Sequence, residues 1–453
     1  MVTASRGTLI LAILASLLSG STLATAAKSG PAGRLDRSFS RDGKALTDFG
    51  SQEDWANDVA VQRDGKTVAV GIATPGGDGP DPAADHMFAV ARYTARGRLD
   101  STFGGDGRAT VNLYPDPTGQ VYDFESAEAV AVQPDGKIVV AGSARSGAEG
   151  SARDVFIVRL TRGGHLDGGF GDGGKVRTQV VCDPTLCPSE SVNDVIVQPD
   201  GRILAGGCFP CDGGGVQFLM LRYLPDGRLD PGFGQGGVVV TDPTDGLDSI
   251  AEMALLRDGR IVALSHSFDV VRYHADGRVD DTFAQGGVAA GDLGYLSGSS
   301  ALAVQRDGKL LLGGQVYDPD SVAVHEFRGP WDVALVRLGR GGGLDPTFGR
   351  DGIVVTDVGG SIYCEEDHAT SVKVQRDGRI LASGNACTPG PDFFVLRYRP
   401  SGRLDRRFSG DGKVLADLGG GEFANASMLR SGTLVVAGSG GQNVDFALAR
   451  FVD

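Results

Sequence analysis

Apolar positions along the chain fall in short runs rich in Val, Ile, Leu and Ala, and clusters of Gly, Asp and Pro punctuate them. No long stretch keeps the 3.6-residue period of an amphipathic helix, so the pattern predicts strands throughout. The runs recur in sets of four, termed a to d. In one set, strand a ends at Ala131-Val132, and Gln133-Pro134-Asp135-Gly136-Lys137 leads into strand b, Ile138-Val139-Val140-Ala141. A loop of variable length precedes strand c, Phe156-Ile157-Val158-Arg159-Leu160, and Leu166-Asp167-x-x-Phe170 precedes strand d. The Leu-Asp-x-x-Phe phrase also opens at Leu35, Leu99, Leu229, Leu344 and Leu404, with Val279 in the remaining copy. Asp-Gly recurs between strands a and b at Asp64, Asp135, Asp200, Asp258, Asp307 and Asp377, and Ser431-Gly432 stands in the seventh copy. Asp-Gly flanked by apolar runs predicts a two-residue hairpin turn with both residues at positive φ.

Seven sets of four antiparallel strands predict an all-β fold, a seven-bladed β-propeller. The two ends sharpen this. Residues 34–49 supply a Leu-Asp-x-x-Phe phrase and a d-type run with no a, b or c before them, whereas the chain ends just after a c-type run at 445–450. Pairing the two closes the ring and leaves no open sheet edge, so the seventh blade is expected to be shared between the termini.

The strings Gln-x-Asp-Gly-Lys, Phe-x-x-x-Arg-Tyr and Asp-Gly-x-Leu-Asp-x-x-Phe-Gly extend from Gly33 to Val452 and resemble the delta-60 repeat family of bacteria. The resemblance implies propeller-like blades in extracytoplasmic proteins, and it carries no catalytic residues over. The chain departs from the pattern at Val279, Ala284 and Ser431, which touches local geometry only.

Arg6, an apolar stretch at 9–18 and Ala24-Thr25-Ala26 read as a secretory signal peptide over residues 1–27. The stretch is well short of the roughly 20 residues that span a bilayer. Residues 28–453 contain no Pro-rich or Ser-rich linker and are expected to form a single seven-repeat domain, secreted, monomeric and not inserted in a membrane. The net charge of −14 becomes −15 when Arg6 leaves with the leader. That balance argues against nucleic acid and anionic membranes as partners.

Six cysteines suit such a compartment. Cys187 and Cys364 each lie thirteen residues before a turn Asp, and Cys211 and Cys387 lie eleven and ten residues after it. Entry to strand a and exit from strand b adjoin, so Cys364 is expected to bridge Cys387, and Cys187 to bridge Cys211 or Cys208, with Cys182 taking the remaining partner. Local pairing of Cys182 with Cys187 and of Cys208 with Cys211 competes. The same spacings suit zinc, but disulfides are the default in an oxidising compartment.

Residues common to every unit cannot single out one active site. The strand-c Arg and the Asp of Leu-Asp are therefore read as scaffold, the Asp capping its turn and pairing with the Arg. Strings such as Gly105-Asp106-Gly107 lack the alternating carboxylates of a calcium loop, so no cofactor is expected and Ca2+ is only hinted at. Nearly all the length variation lies in the b–c and d–a loops, which share one face of the ring, where binding usually lives. At the start of strand a, expected to be innermost, Asp58, Glu128, Asp194, Glu252, Thr370 and Asn425 form a candidate ligand-binding ring at the channel mouth. No catalytic or metal residue is assigned, since neither His-Glu-x-x-His nor Gly-x-Ser-x-Gly occurs. The first expectation is a binding scaffold for an extracellular glycan, peptide or protein. The alternative is a carbohydrate-active or other hydrolytic enzyme using carboxylates from different blades.

Overall fold

Seven antiparallel sheets carry the chain once round a closed ring in the computed structural model. It describes residues 32–50, 54–74, 86–114, 124–145, 152–180, 189–210, 215–244, 249–289, 296–317, 331–359, 367–387, 391–420, 422–441 and 444–453, and every regular element among them is a strand. Met1–Gly30 separates as its own unit; it contains the expected leader and lies outside the described residues. Among those described, no helix is long and apolar enough to cross a membrane.

Blade 1 shows the plan: strands a to d are Trp55–Val61, Thr67–Ala73, Met87–Tyr93 and Arg108–Val111, paired in that order. Strand b is buried along its whole length, because each blade packs on neighbours with both faces. Accordingly the core is seven clusters, each lying between two successive blades. One of them sets Val140, Phe156 and Val158 of blade 2 against Val70, Phe88 and Val90 of blade 1. Closure is as the ends of the sequence require. Lys44–Thr47 pairs with Asp445–Val452, Lys44 opposite Ala449 and Thr47 opposite Phe446, and Arg34–Leu35 continues the pairing.

The turns between strands a and b correct one expectation. In six blades only the Gly has positive φ, as at Gly65 (86°) and Gly136 (86°), and the loop is closed by Gly65 N–H donating to Gln62 O and Gln62 N–H to Lys66 O. The loop is thus Arg63-Asp64-Gly65, three residues with Gly in the left-handed region. Asp64 remains at negative φ because its carboxylate accepts the Lys66 amide at 3.1 Å. The two-residue form occurs in blade 7, the copy without the Asp: Ser431 (50°) and Gly432 (81°) are both positive and Arg430 pairs with Thr433.

The recurrent Arg and Asp form one network per blade. The Arg guanidinium lies 2.6–3.0 Å from the Asp carboxylate in all seven copies, from Arg92 with Asp100 to Arg450 with Asp36. It also covers the Phe of the following Leu-Asp-x-x-Phe at 4.4–4.7 Å from the ring centroid. A further nitrogen reaches the next blade: Arg92 donates to Arg162 O, Arg159 to Pro225 O, and Arg450 to Ala95 O across the closure. The basic residue after each Asp-Gly completes the set, with Lys66 at 2.9 Å from Asp100 and Arg260 at 2.9 Å from Asp280. Burial raises the Asp100 carboxyl, yet hydrogen bonds from Lys66 and Thr102 and the charge of Arg92 outweigh it and hold the group far below the usual carboxylate range.

Candidate functional site

Strand a is innermost in every blade, and successive copies touch all the way round: Trp55–Val61, Phe124–Val132, Ser191–Val197, Ile250–Leu255, Leu296–Val304, His368–Val374 and Phe423–Arg430. Each carries a register shift near its start, and in six blades one extra residue is inserted: Asn57, Glu128, Asn193, Ala251, Thr370 or Asn425. The shift in strand a of blade 5 is longer, between Ser297 and Ala301. The bulge drives a carbonyl toward strand b. In five blades a Gly faces it, and a Cβ on Gly71 or Gly142 would lie 1.9 or 2.0 Å from the carbonyl of Trp55 or Ser126.

The six residues expected to ring the mouth fall in two columns. Glu128, Thr370 and Asn425 are bulge residues, and Asp58, Asp194 and Glu252 follow the bulge. The Asn bulge residues and the acids that follow the bulge join blades. Asn425 donates to Ala56 O at 2.9 Å, as Asn57 does to Ala127 O and Asn193 to Ile250 O; Thr370 instead reaches Ser383 O of its own blade at 3.4 Å. Asp58 accepts the Val130 amide at 2.7 Å, Asp194 the Met253 amide at 2.7 Å, and Glu252 the Leu302 amide.

Three of these carboxylates nonetheless interact across the channel. Burial pushes Asp194 up to about 7, with the charges of Glu252 and then Asp58 adding to it, and burial pushes Asp58 up to about 6. Burial also raises Glu128 and Glu252, and Lys373 of blade 6 opposes the shift of Glu252, its ammonium 3.5 Å from that carboxylate. Lys373 was legible in principle: it stands two residues after Ser371 and so projects from the same side of strand a.

Another acidic column escapes sequence reading. Asp54, Glu125, Glu190, Asp367 and Glu422 each stand three residues before a bulge residue, and all are buried. Each clamps the preceding d–a turn by accepting its amide: Phe49 to Asp54 at 2.6 Å, Leu113 to Glu125 at 2.6 Å, Val180 to Glu190 at 2.6 Å and Val358 to Asp367 at 2.9 Å. Glu125 and Asp367 resemble solvated rim acids in the sequence, because nothing local marks that they fold back onto the turn leaving the preceding blade. Aligning the units on the bulge residue exposes the column.

Of the cysteines, Cys208 is the penultimate residue of strand b of blade 3, Ile203–Phe209, and is disulfide-bonded. Cys182, Cys187, Cys211 and Cys364 lie outside the described residues, as does the side chain of Cys387, so the competing pairings stand as posed. A cavity of about 480 Å³ opens between blades 1 and 2 beside Arg63, Lys66, Arg92 and Arg162, on the face of the a–b turns.

The family comparison agrees with propeller blades. A family model described as "Domain of unknown function (DUF5122) beta-propeller" matches residues 133–170, 198–233 and 375–408, each stretch running from the turn Gln to the Phe beneath the Arg. The chain is a β-propeller repeat protein. No curated protein matches it. Among solved structures it is similar to the WD40 β-propeller domain of Doa1 (12% identity, 91% of this chain and 97% of that one, TM-score 0.45). It is also similar to a protein of unknown function from Dyadobacter fermentans (11%, 90% and 98%, 0.41) and to an α-L-arabinanase of Penicillium chrysogenum complexed with arabinobiose (12%, 72% and 92%, 0.40).

Proposed function

We propose that this chain is an exported propeller of the delta-60 repeat type, released from a leader at residues 1–27, and that residues 28–453 act as a monomeric binding scaffold for an extracellular glycan, peptide or protein. One observation carries the reading. The recurrent charged groups and the channel acids Asp58, Asp194 and Glu252 hold neighbouring blades together, which leaves recognition to the loops that differ between units. Disulfides at the variable face, of which Cys208 is one half, would brace those loops.

A hydrolytic enzyme is the second reading. It is favoured by the raised carboxyls of Asp58 and Asp194 and by the Lys373–Glu252 pair in one channel, since perturbed groups cluster where chemistry is done. Thermal shift of residues 28–453 against glycans and peptides, run beside glycosidase and esterase assays, separates the two. A ligand that raises Tm without being consumed supports the scaffold. Turnover that Glu252→Gln abolishes in a folded variant overturns it.

A further inference from the structure

We propose that the cavity between blades 1 and 2 binds the carboxylate of a small organic acid through Arg63, Arg162 and Gln62. The cavity measures about 480 Å³, which admits a carboxylate on a body the size of one sugar ring. Val132 and Pro134 give it an apolar wall for such a body. It opens on the face of the a–b turns, opposite the variable b–c and d–a loops, so it is separate from the recognition proposed for those loops.

The charges lining the cavity are unevenly spent. Lys66 and Arg92 both go to the Asp100 carboxylate, at 2.9 and 2.8 Å. Asp64 and Asp135 each accept the amide two residues further on, at 3.1 and 3.0 Å, and so cap their own turns. Arg63 and Arg162 are exposed beside them, and among the described residues neither has a carboxylate partner; Arg162 donates to the backbone carbonyl of Asp135. Gln62 lines the same cavity with only 8% of its surface exposed, and among the described residues its side-chain amide has no hydrogen-bond partner. A buried amide left in this way is costly, so its partner must come from the cavity. Two guanidiniums and an amide N–H are the donor set that a carboxylate takes.

The ring already holds one carboxylate in the equivalent place. Between blades 6 and 7 the residues matching Gln62, Arg92 and Arg162 are Gln375, Arg397 and Asp453. There the Asp453 carboxylate accepts from Arg397 at 3.1 Å and from the Gln375 side-chain amide. Between blades 1 and 2, Arg92 donates instead to the backbone carbonyl of Arg162, and Gln62 is left over. The turn Gln thus pairs with a carboxylate where the chain provides one; an Arg in the position of Asp453 reverses the charge, so the carboxylate must come from outside. No other interface repeats the set. The turn Gln recurs as Gln133, Gln198 and Gln305, but Pro225, Ala275 and Pro400 stand where Arg162 does. Between blades 4 and 5, Arg257 and Arg340 supply both guanidiniums and Leu256 replaces the Gln, while Leu429 and Ala95 leave the interface of blades 7 and 1 without either feature.

The test titrates residues 28–453 by calorimetry with galacturonate, galactose, acetyl-dialanine, its C-terminal amide and inorganic phosphate. The two acids are expected to bind one per chain with a Kd of about 1 mM or below, and the neutral sugar and the amide about tenfold or more weaker, because each hydrogen bond to a charged group is worth at least that factor. Arg63→Gln and Arg162→Gln, both at exposed positions, are each expected to weaken the acids by about tenfold or more with Tm unchanged. Gln62→Leu, which installs the side chain that blade 4 carries in this place, is expected to weaken them by roughly three- to tenfold. Arg340→Gln removes the matching Arg from an interface that has no turn Gln, and binding is expected to stay as it was. The tighter of the two acids identifies the carrier of the carboxylate, a sugar acid or a peptide terminus. Absence of acid binding up to about 10 mM overturns the proposal. So does phosphate binding tighter than both acids, neutral compounds binding as tightly as the acids, or an equal loss in Arg340→Gln and Arg162→Gln.

Discussion

The aspartates of this ring divide by what faces them. Those of Leu-Asp meet an Arg and, in most blades, a second basic group, and Asp100, Asp280 and Asp345 are held far below the usual range even though burial opposes it. Asp58 and Asp194 meet backbone amides and other acids, so burial prevails and both are pushed up. The two groups act on stability with opposite sign. A depressed carboxyl stabilises the fold above its unfolded value and loses that contribution as pH falls; a raised carboxyl favours the folded state at low pH, and that contribution is lost as pH rises through its folded value. Stability should therefore peak near pH 4–5, fall below about 4, and decline again toward about 7 as Asp58 and Asp194 ionise. Asp194→Asn, which keeps the oxygen that accepts the Met253 amide, is expected to flatten the upper decline by on the order of 1–2 kcal/mol in urea melts from pH 4.5 to 8. An unchanged profile would show that Asp194 does not titrate in that range.

Strands and turns show what a linear pattern can and cannot reveal. The strand positions, the b–c–d run with Arg159 and Phe170, and the Asp–Arg pairing follow from local alternation and recurrence, so they were legible. The three-residue form of the Asp-Gly loop was not, because the choice rests on the Asp carboxylate catching the Lys66 amide and sparing itself positive φ. Nor was the bulge of strand a, whose trace in the sequence is a Gly on the opposite strand. That Gly yields a prediction. A Cβ on Gly142 would fall 2.0 Å from Ser126 O and 2.7 Å from the Phe88 ring, whereas Gly105, at φ 99°, has nothing within 4 Å. Gly142→Ala must push strands a and b apart or unseat Phe88, and is expected to cost about 2–4 kcal/mol. Gly105→Ala meets only backbone strain and is expected to cost about 1 kcal/mol. Equal midpoints for the two in urea would mean that the bulge yields freely and does not fix the blade.

At the scale of the whole ring, the same interfaces that bury the core also determine what recognition has left to work with. Each apolar cluster is shared by two blades, and side chains such as Arg92 to Arg162 O and Asn425 to Ala56 O reach forward to the next, so each blade is held by both of its neighbours. This is why the closing strand was foreseeable from an orphan d-type run, while the acids clamping the d–a turns were not: closure shows in the order of strand types, whereas a clamp acid shows only once the turn folds back on it. Residues 34–47 add Phe39 beneath Arg450, the Tyr93–Thr47 hydrogen bond at 2.7 Å, and the strand that covers the edge of Asp445–Val452. A chain beginning at residue 50 would expose that edge and remove apolar groups from the cluster shared by blades 7 and 1, of which Phe39 alone is worth about 1.5–3 kcal/mol. It is expected to lose cooperative unfolding and to associate through blade 7, seen as larger species by light scattering after size exclusion. A synthetic peptide of residues 31–50 added in trans should restore the monomer, because pairing of Lys44–Thr47 with Phe446 to Ala449 needs no covalent link to the rest of the ring. A truncated chain that stays monomeric with an unchanged Tm would show that the ring holds on six complete blades alone.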